Sequence, residues 1–105
     1  MGLVIKDPQF SATVKEILDL IKGISPGKSV ELRVPPYGVI QCVEGSNHRR
    51  GTPPNTVEMS GQTLLRLLNE PSLWASLCDS GEVRASGLLS DLSKVFAQAA
   101  VKYRA

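Results

Sequence analysis

Two proline pairs, Pro35-Pro36 and Pro53-Pro54, set the first limit on how this chain can fold. Proline has no backbone N–H to donate and fixes its own φ, so neither a helix interior nor a central ladder can run through either pair. The middle of the chain is thereby cut into short extended pieces. Ser29 to Val34 alternates, with Val30, Leu32 and Val34 on one side and Glu31 and Arg33 on the other, the period of a half-buried strand. Pro35-Pro36-Tyr37-Gly38 reads as a turn. Val39 to Glu44 reads as a second strand, and its weak alternation predicts an inner position covered on both faces. A long loop follows, pinned at its far end by Pro53-Pro54, before a third short strand from Thr56 to Met59 with Val57 and Met59 on the core side. Neither proline pair has PxxP spacing, so both are read as turn-makers, each with one cis bond.

Helical patterns flank this block. Asp7-Pro8 suits a helix start, and Phe10, Val14, Ile17, Leu18 and Ile21 then fall on one stripe. Gly23 and Ser25-Pro26-Gly27 end it. Ser60 suits an N-cap for a short helix that buries Leu64, Leu65, Leu67 and Leu68, stopped by Asn69 and Pro71. A second short helix carries Leu73, Trp74 and Leu77 to Ser80-Gly81. Glu82 to Ala85 predicts a fourth strand with Val83 and Ala85 inward. After Ser86-Gly87 a final helix is expected to bury Leu88, Leu92, Val95, Phe96, Ala99 and Tyr103.

The order is helix, three strands, two short helices, strand, helix. That predicts an α+β fold, a small, mainly antiparallel sheet of four to five strands covered by helices. The first three strands are expected to form a meander, because their connections look too short for parallel crossovers. At 105 residues a single domain over 1–105 is expected. The net charge of +2 and the scattered basic residues argue against nucleic acid. Cys42 and Cys78 lack CxxC spacing and read as buried, reduced thiols. No stretch approaches a membrane span or a secretory signal, so a soluble, cytoplasmic protein is expected.

Several runs carry a resemblance. They are ELRVPPYGVIQCVEG (Glu31 to Gly45), HRRGTPPNTVE (His48 to Glu58), Trp74 followed by GEVRASG (Gly81 to Gly87), and DLS (Asp91 to Ser93). Over about Ser11 to Phe96 the chain resembles the sterol carrier protein superfamily, and within it the short bacterial sterol carrier domains known from actinobacteria. The resemblance implies a sheet packed by helices around an apolar cavity for sterols, fatty acids or acyl chains. The chain is shorter than the eukaryotic carriers, and it ends KYRA rather than in their peroxisomal Ser-Lys-Leu.

Two site candidates follow. Phe10, Val14, Ile17, Leu32, Trp74, Leu92 and Phe96 are the candidate lining of an apolar pocket between the sheet and the terminal helices. His48, Arg49, Arg50 and Thr52 form a loop able to hold an anionic head group, since arginine offers a bidentate fork. The plainer reading of that loop is structural, with an arginine paired to Glu44 or Glu58. His48 is the only histidine and has no evident orienting partner, and no HExxH, GxSxG or phosphate-loop pattern occurs. No enzyme activity, cofactor or metal is therefore expected. A pocket of about 300 Å³ left dry would cost on the order of 7 kcal/mol at roughly 24 cal/mol per Å³, against a total stability of about 5–15 kcal/mol. A chain this small must fill, open or collapse such a void. Non-catalytic binding of a lipid or acyl ligand is the first reading. A protein–protein interaction module with a filled core, acting as a homodimer or as an accessory to a larger enzyme, is the second.

Overall fold

The computed structural model describes residues 8–45 and 55–104. Helix α1 (Pro8–Ile24) opens at the expected proline and buries Val14, Ile17, Leu18 and Ile21. Phe10 lies at the rim of that stripe, half-buried, its ring edge-on to Tyr37 at 5.3 Å. Lys22 sits in the last turn, where a cation complements the helix dipole.

The sheet has four strands, β1 (Val30–Val34), β2 (Gly38–Cys42), β3 (Asn55–Met59) and β4 (Val83–Ser86), in the order β2-β1-β3-β4. β1 and β2 form an antiparallel hairpin whose turn contains a cis bond between Pro35 and Pro36. β3 pairs with β1 in parallel, Leu32 opposite Val57. The expected meander is therefore wrong at its third strand. The expectation failed because it judged the connection too short. Between Cys42 and Asn55 lie twelve residues, enough to carry the chain back past β1 to its far side. β4 closes the sheet antiparallel to β3, so two of the three pairings are antiparallel.

β2 is consequently an edge strand, not an inner one, and Val39 is 58% exposed. Its blurred alternation reflects an edge with one thinly covered face. The inner strands β1 and β3 carry the strict buried–half-buried alternation.

α2 (Gly61–Asn69) starts as expected, the Ser60 hydroxyl accepting the Thr63 N–H at 3.0 Å. A 3-10 turn (Pro71–Leu73) leads into α3 (Trp74–Ser80), which Gly81 ends at φ 85°. Of β4 only Val83 is buried, while Ala85 is exposed, against expectation. β4 lies at the end of the sheet, where the helical layer stops short of Ala85. α4 (Ser93–Arg104) begins later than its apolar spacing suggested. Asp91 accepts the Ser93 N–H at 2.9 Å and fixes the start. Leu88 is thus outside the helix and fully exposed, and Tyr103 at the far end is 42% exposed. Leu92, Phe96, Ala99 and Ala100 carry the contact of this last segment with the core.

Candidate functional site

Alternation decides which side of the sheet each residue serves. Val30, Leu32, Val34, Ile40, Cys42, Val57, Met59 and Val83 point to the helical side and join one apolar cluster with residues of α1, α2, α3 and α4. Six of the seven pocket candidates lie in that cluster: Val14, Ile17, Leu32, Trp74, Leu92 and Phe96. Trp74 and Phe96 stack at a tilt, centroids 6.0 Å apart. Phe10 packs against the cluster from the rim, close over Gly61 and Tyr37.

These residues are together, and five of them border no void. Val14, Ile17, Leu32, Leu92 and Phe96 have no accessible surface at all. A cavity large enough for one water would expose the side chains around it, so none opens against these five. The seam between α1, the sheet and α4 is filled by side chains, as close packing of a small interior demands. Cys42 is part of this interior, and burial pushes its thiol up to about 11. Cys78 is only half-buried, contrary to the expectation of two buried thiols. Its pKa is also raised, first by burial and then by the charges of Asp91 and Asp79.

The head-group candidates His48, Arg49, Arg50 and Thr52 lie outside the described residues. The chain on either side of them is firmly held. Val43, the first residue after β2, has φ 68°, a left-handed conformation that a β-branched residue rarely adopts. Two backbone bonds hold it there: its N–H donates to Ser25 O at 2.8 Å, and its O accepts the Ser29 N–H at 3.0 Å. On the far side, Asn55 is buried and donates through Nδ2 to Ser29 O at 2.8 Å. Its Oδ1 accepts the Leu89 N–H at 2.9 Å. Asn55 thereby ties the start of β1 to the turn before α4. Sequence reasoning missed it by starting the third strand one residue later. The signal available was a polar residue heading a strand whose other inward positions are apolar.

The opposite face of the sheet is polar. There Glu31 and Arg33 bond at 2.5 Å, Glu58 lies 3.9 Å from Arg33, and Arg84 bonds Glu58 at 3.0 Å. Among the described residues, Glu58 is thus engaged by its strand neighbours Arg33 and Arg84. Two grooves flank this face. One, of 430 Å³, runs past Glu58, Ser60, Arg66 and Glu82. The other, of 560 Å³, follows β4 past Glu58, Cys78, Gly81 and Arg84. Neither touches any of the apolar candidates, and both escaped the sequence reading because they depend on the β1–β3–β4 pairing.

A family model described as a bacterial SCP ortholog matches residues 7–97. Among solved structures, one described as "UbiJ-SCP2 Ubiquinone synthesis protein" superposes with a TM-score of 0.55 at 15% identity, covering 98% of each chain. At that identity the likeness carries the fold alone. No curated protein matches.

Proposed function

Because the chain belongs to the bacterial SCP ortholog family, we propose that it is a non-catalytic, carrier-like protein that takes up a lipid or other apolar ligand between α1, the sheet and α4. The observation that carries this reading is one continuous apolar cluster to which both terminal helices and the inner sheet face contribute. Because that cluster is filled, the ligand enters by parting the seam rather than by occupying a standing cavity. α4 is the element suited to give way: only Phe96, Ala99 and Ala100 of its own residues are buried. The two alanines bring little apolar area to the contact.

The non-catalytic reading is supported by the chemistry of the two thiols. A thiol at about 11 is almost wholly protonated near neutrality, so Cys42 is a poor nucleophile. Cys78 is shifted in the same unreactive direction.

The test is native mass spectrometry of the protein purified from its own cells, paired with thermal unfolding in the presence of fatty acids and sterols. A co-purifying lipid is expected. At a hundredfold excess over Kd, linkage gives about 2.7 kcal/mol, hence a melting temperature raised by roughly 10 °C or more in a chain of this size. Bare protein together with an unmoved melting temperature would remove lipid carriage.

The same filled core favours a second reading. Five of the seven candidate residues have no accessible surface, as in an interaction module that works through its exterior, as a dimer or beside a larger enzyme.

A further inference from the structure

The outward side chains of the sheet form a row whose sign alternates from strand to strand. Arg33 on β1 stands opposite Glu58 on β3, and Glu58 opposite Arg84 on β4. The row then stops. β4 is at the end of the sheet, with no strand on its other side among the described residues. Among the described residues Arg84 has one carboxylate partner, Glu58, toward the sheet, and its side chain is 73% exposed. The 560 Å³ groove runs along the same strand. Opposite charges facing each other across strands stabilise the pair and like charges oppose it, so the next strand beyond β4 should place an acid against Arg84.

We infer that β4 is a self-pairing edge, and that the strand which adds to it is β4 of a second copy of this chain. A two-fold antiparallel pairing with Val83 opposite Val83 sets Arg84 of each copy against Glu82 of the other. Glu82 is the exposed residue just before β4, and its carboxylate then exchanges its own-chain contacts with Arg66 and Ser80 for that guanidinium. The row then reads plus, minus, plus, minus across the junction, and the exchange occurs twice because the interface is isologous. Directly opposed residues point to the same face. Val83 therefore meets Val83 on the apolar side, and the exposed Ala85 comes opposite Gly81. The competing register, centred on Arg84, is longer but sets two guanidinium groups against each other on the symmetry axis. The favoured ladder spans only residues 82–84, so the dimer is weak, with a Kd of about 100 µM at the low end of interface sizes. This inference does not depend on lipid carriage, because the interface lies on the sheet edge and leaves the apolar seam untouched.

Sedimentation equilibrium of the full chain from about 10 µM to 1 mM tests it. Glu82→Arg and Arg84→Glu should each weaken self-association about tenfold or more, by creating two like-charge contacts. Each reversal also turns an exposed ion pair within its own chain, with Arg66 and with Glu58 respectively, into a like-charge contact, at a small cost that leaves the chain folded. Mixing the two variants is the decisive arm. In the mixed pair, arginines at 82 and 84 of one chain face glutamates at 84 and 82 of the other. The mixture should dimerise where neither variant does alone, which also shows that both are folded. A wild-type chain that stays monomeric to 1 mM overturns the inference. So does a dimer indifferent to either reversal, or a mixture that fails to associate.

Discussion

Asn55 uses both halves of its amide. Its Nδ2 donates to Ser29 O and its Oδ1 accepts from Leu89 N–H, in a position only 4% exposed. Replacement by alanine strands a buried carbonyl and an amide N–H, each costing about 1–3 kcal/mol when left unpaired. Asn55→Ala should therefore lower the unfolding free energy by about 3 kcal/mol in urea titrations. Asn55→Asp should be at least as damaging, because a carboxylate oxygen would then face Ser29 O. A loss under about 1 kcal/mol for the alanine variant would show that water replaces both partners. Gly87 enforces the same closeness from the other side. It has φ 108°, and a Cβ there would overlap the Asn55 amide oxygen.

Cys42 gives a second effect at this scale, with a sign that can be worked out. Its ordinary value is 9.0 and burial raises it to about 11 in the folded chain. Below pH 9 folded and unfolded chains both keep the proton. Between about 9 and 11 the unfolded chain releases it while the folded chain holds it, so stability falls as pH rises, and the loss levels off above 11. The span corresponds to about 2–3 kcal/mol. Urea unfolding of wild type and Cys42→Ala at pH 8, 9, 10 and 11 should show the extra fall in wild type only. Parallel curves would mean that the thiol is free to ionise in place.

Elements were legible in the sequence wherever a local signal defined them. The stripe Val14, Ile17, Leu18 and Ile21 is the buried side of α1. Ser60 caps α2, and Ser60→Ala should cost about 1 kcal/mol, read as a small, uniform drop in thermal stability. A cost near zero would mean that water serves the Thr63 N–H equally well. What could not be read was decided between elements. Strand β3 has the same alternation whether it lies antiparallel to β2 or parallel to β1. The twelve residues before it are long enough to reach the far side of β1 but do not by themselves compel it, so the sequence alone does not separate these outcomes. The start of α4 failed for a related reason. Leu88 continues the apolar spacing, but Asp91 supplies a stronger stop by bonding the Ser93 N–H, and Leu88 is left in the turn. The apolar candidates were found because burial follows periodicity. The polar row from Arg33 to Arg84 was not, because its members become neighbours only once strand order is known.

For the molecule as a whole, the central question is how a filled interior of this size accepts anything. Removing Leu92 offers a direct answer. It has no accessible surface and sits just ahead of α4, where a parting seam would begin. Leu92→Ala should cost about 2–5 kcal/mol, a large part of a total near 5–15 kcal/mol, yet leave a folded chain. If ligand uptake requires displacing side chains from this seam, the variant has already given up part of that packing. It should then bind a medium-chain fatty acid about tenfold more tightly than wild type, a gain of about 1.4 kcal/mol, measured by calorimetry below the melting temperatures of both proteins. Lower stability joined to higher affinity is the signature of a site that must be opened. A ligand held on the polar face or at the loop would not respond to a cavity under α4, and its affinity would stay unchanged. The two results separate a carrier whose pocket exists only when occupied from a module whose core serves packing alone.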